Sequence, residues 1–185
     1  MLGKAPAGGT SLIDPRTVVA RLDIHDGDIV ADLGCGGGGH FINSLSTAVG
    51  AKGKVFALDI QKNVLKVVEA KMKLFNLSNV TTVWSDLERD GSAGIISGSC
   101  TIALLLNVLF QNSRYEKIVQ ESLRMIMSGG RLVVIDWKPS GSPFGPPSDR
   151  RISPQKVKEI AQSLGITLLE EFEAGPYHYA LVFKK

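Results

Sequence analysis

The sequence predicts an α/β fold: a doubly wound, mostly parallel seven-stranded sheet with helices on both faces and a C-terminal antiparallel hairpin. Three observations carry this reading. Short apolar runs alternate with segments of helical period along most of the 185 residues, the pattern of parallel strands joined by crossover helices. Residues 101–106 form a continuous apolar run, as expected of a strand covered on both faces. The last two strand-like segments, 166–172 and 179–183, are joined around Gly175-Pro176. That link is too short for a parallel crossover, which takes roughly ten or more residues. The pair is therefore a hairpin, and the final strand runs against the rest.

The elements follow in order. Asp14-Pro15 opens a short helix to Leu22, with Asp as N-cap and Pro at the first helical position. Asp26-Gly27 is a turn, and residues 28–33 are the first strand. A glycine loop leads into a helix over 41–49. Residues 55–58 are the second strand, closing on Asp59. Val64, Leu65, Val67, Val68, Met72 and Phe75 recur at helical spacing and predict a helix over 63–76. Residues 80–84 are the third strand, followed by Ser85-Asp86 and a polar connection over 87–99. After the strand at 101–106, a helix over 115–127 is expected to stop at Gly129-Gly130. Residues 131–136 are the fifth strand. Ser153-Pro154 caps a helix to Leu164, and Gly165 ends it. Residues 1–13 are expected to be a flexible segment, and 14–185 a single domain.

Composition narrows the functional classes. The chain is 44% hydrophobic and 21% charged, ordinary for a globular protein. A net charge of +3 makes no electrostatic case for nucleic acid. Lys62, Lys66, Lys71 and Lys73 share a helical stretch with Glu69, which reads as a solvated face. The two cysteines, Cys35 and Cys100, have neither metal-ligand spacing nor the number a disulfide framework needs, so no metal site is expected. The N-terminal stretch lacks the apolar run of a signal peptide, and no segment is long enough to span a bilayer. A reducing cytoplasm is the expected compartment.

The most informative stretch is Val30-Ala31-Asp32-Leu33-Gly34-Cys35-Gly36-Gly37-Gly38-Gly39. A strand that breaks into this much glycine brings its backbone against a ligand, since side chains would block the approach. Gly34-x-Gly36-x-x-Gly39 formally satisfies the dinucleotide fingerprint, with Asp59 ending the second strand, so an NAD-dependent oxidoreductase is one reading. Three features favour another. Asp32 would repel a pyrophosphate but suits a cationic ligand. Asp86 adds a third carboxylate at a strand end on the ligand edge. The three acids together suit a ligand with an ammonium, a ribose diol and an exocyclic amine. The C-terminal hairpin is unusual in a dinucleotide domain.

Asp32-Leu33-Gly34-Cys35-Gly36-Gly37-Gly38, then Asp59, then Ser85-Asp86-Leu87, resemble the class I (Rossmann-like) S-adenosylmethionine-dependent methyltransferases over residues 14–185. The resemblance implies an enzyme that moves the methyl group of S-adenosyl-L-methionine to an acceptor and leaves S-adenosyl-L-homocysteine. It implies that Asp32 and the backbone of Gly34 and Gly36 surround the methionine part of the cofactor, with Cys35 and Gly38 in the same loop. Asp59 would take the ribose hydroxyls, and Ile60 would lie on the adenine. Asp86 would accept from the adenine amino group, with Ser85 and Leu87 beside it. Asn107 would line the methionine and substrate side. His40 departs from the commonest pattern, and either reaches a ligand or starts a helix with a solvated ring.

The acceptor side is less specific. Methyl transfer from a sulfonium is an in-line displacement, so a base is needed only if the nucleophile must lose a proton. Asp136 and His178 are the candidate bases, each with an alternative structural role, as strand-end cap and as buried hydrogen-bonded histidine. Trp137 is a candidate for stacking on a planar substrate, or for the core. Lys138 and Tyr177 lie near the same edge. Residues 139–151 are the longest irregular segment, and five of the eight prolines fall between Pro139 and Pro154. Such a loop leaving the ligand edge is expected to cover the substrate site. Phe144 would supply an apolar contact, and Arg150 and Arg151 a clamp for a carboxylate or phosphate. With no separate substrate domain expected, the Pro-rich loop resembles those of family members acting on small or lipid-like acceptors, which implies a small-molecule acceptor. RNA or protein acceptors, and a non-catalytic cofactor-binding scaffold, are the competing readings.

Overall fold

The computed structural model describes residues 12–185; the predicted flexible segment falls outside it except for residues 12 and 13. Ile13 is not loose. It is 1% exposed and packs in the core beside Val18 and Val19. The helix that follows, α1 (Pro15–Arg21), is capped as expected, with Asp14 accepting from the Arg16 N–H at 3.0 Å.

Seven strands form one sheet in the order β3-β2-β1-β4-β5-β7-β6. They are β1 (Ile29–Leu33), β2 (Lys54–Asp59), β3 (Val80–Trp84), β4 (Cys100–Leu106), β5 (Ile126–Trp137), β6 (Thr167–Gly175) and β7 (His178–Lys184). β7 pairs antiparallel with both β5 and β6, and the other pairings are parallel, so β7 alone is reversed. The helices are α2 (Ile42–Val49), α3 (Lys62–Leu74), α4 (Tyr115–Met125) and α5 (Pro154–Ser163), besides α1. α1, α2 and α3 bury their apolar residues against one face through Ile102, Leu104, Val133 and Ile135. α4 and α5 cover the other through Ala103, Leu105, Leu132 and Val134. Burial on both faces explains why β4 reads as a continuous apolar run.

One expectation is corrected. Gly129-Gly130 does not stop a helix: α4 ends at Met125, and residues 126–130 already belong to β5. β5 pairs Cys100 with Ile126 and then Ile102 with Arg131, so the glycines lie in a bulge. A Cβ on Gly130 would sit 2.5 Å from Ile126 Cγ2 and 2.8 Å from the Thr101 carbonyl, so close strand packing demands the glycine.

The strand order reverses between β1 and β4. In open parallel sheets ligands bind outside the carboxyl ends of the strands at such a switch point. The glycine loop leaves β1 there and Asn107 follows β4. β6 and β7 reach further toward the same edge than their apolar patterns suggest, which sets His178 opposite Trp137.

Candidate active site at the switch point

A cavity of about 670 Å3 opens at this edge. Of the residues expected at the cofactor, Gly34, Gly36, Gly38, His40, Asp59, Ile60, Ser85, Asp86, Leu87 and Asn107 line it. Asp32 and Cys35 sit behind the wall, 1% and 8% exposed.

The loop geometry explains its glycines. The N–H groups of Gly34 and Cys35 both donate to the Leu58 carbonyl, at 2.9 and 2.8 Å, which folds the loop back over β2. Gly34 has φ +78°, and a Cβ there would stand 2.6 Å from Val108 Cγ2. Gly37 has open space where a side chain would be, so its bare backbone faces the cavity. Lys71 of α3 holds the loop from behind by donating to the Gly38 carbonyl.

The three acids differ in what they already bind. Asp59 accepts from the N–H groups of Gly36 at 3.1 Å and Gln61 at 2.9 Å, which fixes its carboxylate at the cavity wall. Asp86 accepts from the Glu88 N–H at 3.1 Å. Ser85 donates its N–H to the Asp59 carbonyl at 3.1 Å, tying the ends of β2 and β3 together. Asp32 is different: neither carboxylate oxygen has a hydrogen-bond partner. Burial, and then the charge of Asp59, push its pKa up to about 7. A buried acid without a donor is costly, so a cationic ligand group is the natural complement. Cys35 is an inert thiol, its pKa raised by burial and by both carboxylates.

His40 resolves its two readings in part. Its ring lines the cavity, and Nε2 lies 3.0 Å from the Ile13 carbonyl, tying the chain ahead of α1 to the rim. Asn107 adopts φ +56°, and its Nδ2 donates to His178 Nε2 at 3.3 Å.

The expected acceptor residues are not brought into the cavity. Asp136 is fully buried and caps the turn after β4: its oxygens accept from the N–H groups of Trp137 at 2.8 Å and Phe110 at 3.2 Å. Burial outweighs these bonds and raises its pKa to about 7. His178 is 0% exposed, and burial, with the charges of Arg151 and Lys138, lowers its pKa to about 4, so it is a weak base. Trp137 is 1% exposed and its indole lies under Gly145, which leaves no ring face for stacking on a substrate. Lys138 pairs with Glu173 at 2.7 Å. Phe144 packs edge-on against Tyr177, ring centroids 5.5 Å apart. Arg150 is exposed. Arg151 does not clamp a ligand here: it donates to the carbonyls of Pro146, Lys138, Ser142 and Phe144 and braces the 139–151 loop from within.

Sequence reasoning missed Gln111 and Asn112, which line the cavity beyond Asn107. They donate to the carbonyls of Asn107 and Val108 at 2.8 and 2.7 Å, a polar turn whose only trace in sequence is a run of amides after an apolar strand.

The profile of the ubiE/COQ5 methyltransferase family matches residues 16–143. A demethylmenaquinone methyltransferase of Oceanobacillus iheyensis is 30% identical over 122 residues, covering 65% of this chain and 49% of that protein. A ubiquinone/menaquinone biosynthesis C-methyltransferase UbiE of Pseudomonas paraeruginosa is 31% identical over 139 residues, covering 74% and 52%. The chain thus spans about half the length of these curated relatives. Among solved structures, a SAM dependent methyltransferase from Aquifex aeolicus superposes with a TM-score of 0.86 at 26% identity, covering 97% of this chain and 93% of that one.

Proposed function

This chain belongs to the ubiE/COQ5 methyltransferase family, and from that premise we propose that it transfers the methyl group of S-adenosylmethionine to a small-molecule acceptor. The observation that carries the reading is the unpartnered, buried carboxylate of Asp32 at the head of a bare glycine loop. It calls for a ligand cation, which S-adenosylmethionine has and a dinucleotide pyrophosphate lacks.

When bound, S-adenosylmethionine supplies a methyl carbon made electrophilic by its sulfonium. The protein's part is placement. Asp32 offsets the ammonium of the methionine end, and Gly34, Gly36 and Gly38 let the backbone approach it. Asp59, already held by two N–H groups, has lone pairs left for both ribose hydroxyls. Ile60 is 55% exposed at the rim and covers the adenine, and Asp86 accepts from its amino group. Asn107, Gln111 and Asn112 face the acceptor. Holding two reactants in line can lower a barrier by roughly 7–11 kcal/mol, so a base is not required when the nucleophile is already ionised.

The acceptor class draws support from the relatives, one named for demethylmenaquinone and the other for ubiquinone/menaquinone biosynthesis. Among the described residues no helix is long and apolar enough to cross a membrane.

Calorimetric titration with S-adenosylmethionine, S-adenosylhomocysteine and NAD, followed by methyl transfer to hydroxylated naphthalenes, tests this. Micromolar binding of the first two and not of NAD is expected. Binding of NAD alone would overturn it.

A further inference from the structure

We infer that Trp137 and His178 form a second polar site beside the cavity, built to hold an anionic oxygen of the acceptor. The inference rests on the methyltransferase reading above and names a feature of its substrate.

The two residues are cross-strand partners at the carboxyl end of β5 and the start of β7, so their side chains share a face. Their rings lie 4.2 Å apart at 42°. Both are buried, and neither Trp137 Nε1 nor His178 Nδ1 has a hydrogen-bond partner. The indole nitrogen can only donate. His178 Nε2 accepts from Asn107 Nδ2 at 3.3 Å, so the hydrogen of the neutral ring sits on Nδ1. Both orphaned atoms are therefore donors. Buried donors without acceptors are rare, and two on adjacent side chains call for an acceptor group between the strand ends and the loop above them.

The surroundings favour an anion. The Arg151 guanidinium lies 5.6 Å from the indole centroid, and its hydrogen bonds go to neutral carbonyls rather than to a carboxylate. The charges of Arg151 and Lys138 are both felt at His178, where they add to burial in lowering its pKa. Lys138 is balanced by Glu173; Arg151 is not balanced by any acid among the described residues. Asn107 connects the site to the cleft, since it both lines the cavity and touches His178.

The 139–151 loop closes the site. Gly145, at φ +84°, presses its backbone on the indole, where a Cβ would meet ring carbons at 2.7 Å. Raising this segment uncovers the edge of the indole that carries Nε1. The matching ligand group is a carboxylate or an ionised phenol or enol; a neutral apolar ring offers nothing to either N–H.

The chain has two tryptophans, and they report on different sites. Trp84 Nε1 donates to the Ile60 carbonyl at 2.8 Å, at the proposed adenine position. In 15N-labelled protein, S-adenosylhomocysteine is added first and should shift the Trp84 indole signal. Benzoate, 4-nitrophenolate and neutral nitrobenzene are then titrated separately. A saturable shift of the Trp137 indole N–H with either anion, and none with nitrobenzene, is expected; which anion is tighter tells carboxylate from phenolate. Trp137→Phe, which keeps an aromatic ring and loses the N–H, should weaken that binding on the order of tenfold, read by calorimetry because the indole reporter is gone. A Trp137 signal unmoved by both anions up to their solubility, with Trp84 responding to S-adenosylhomocysteine, overturns the inference and leaves the cofactor reading intact. A Trp137 signal that instead shows contact with a long-lived internal water also overturns it. A silent Trp84 counts against the cofactor reading itself.

Discussion

Asp32 and Asp59 end the neighbouring strands β1 and β2, and the charge of the second adds to burial in raising the first to about 7. In the unfolded chain Asp32 ionises at its ordinary 3.8. Between those values the folded protein holds a proton that the unfolded chain releases, so this group makes the fold less stable as pH rises. Asp136, also raised to about 7, acts in the same direction. His178, held at about 4 against an ordinary 6.5, acts in the opposite direction over its narrower window. With two groups against one, the unliganded protein should melt lower at pH 7 than at pH 5. Asp32→Asn should flatten part of that slope and raise the melting temperature at pH 7. S-adenosylhomocysteine affinity should climb as pH rises through 7 in the parent protein and lose that dependence in Asp32→Asn. Calorimetry across pH checks both.

Asp59 holds two backbone N–H groups and, on the reading above, the ribose. Asp59→Ala should weaken S-adenosylhomocysteine binding on the order of tenfold to a hundredfold while leaving the circular dichroism spectrum unchanged. An unchanged dissociation constant would remove Asp59 from the cofactor site.

Gly34 is constrained twice, by its positive φ and by Val108 Cγ2 at 2.6 Å from where a Cβ would stand. Gly34→Ala should cost about 1–3 kcal/mol in urea unfolding. Adding Val108→Ala should relieve the steric part and leave the backbone part, so the double variant should be more stable than the sum of the single effects. Additive losses would show that the contact is not responsible.

Arg151 braces the 139–151 loop through four carbonyls. Arg151→Ala should speed chymotryptic cleavage at Phe144 severalfold and leave S-adenosylhomocysteine binding unchanged, since the loop residues do not line the cavity. Deleting the loop tip should abolish acceptor methylation with the same sparing of cofactor affinity. Loss of both together would assign the loop to the cofactor site.

The sequence by itself determined the sheet, the one reversed strand and the edge at which the cavity opens. Those follow from local signals: apolar runs mark β1, β4 and β5, the Asp14 and Ser153 caps mark helix starts, and the short link at Gly175-Pro176 forbids a crossover. It also named half of the cavity wall, because Gly34, Asp59 and Asp86 sit at or just beyond strand ends, and in a parallel sheet those ends share one edge. Gly129-Gly130 was misleading, since a glycine pair that ends a helix and one that permits a bulge look alike without the partner strand. Only the tertiary structure decided which groups are satisfied. Asp136 and His178 look equally fit for chemistry as letters, yet one spends its oxygens on backbone N–H groups and the other keeps a buried, unpaired nitrogen. Arg151 offers a clamp in sequence and is a brace in space. Hydrogen-bond partners and burial come from residues distant along the chain, such as Asn107 and His178 or Tyr179 and Ile152. No pattern of neighbouring residues encodes those pairings, because they arise only when the strand register brings the side chains together.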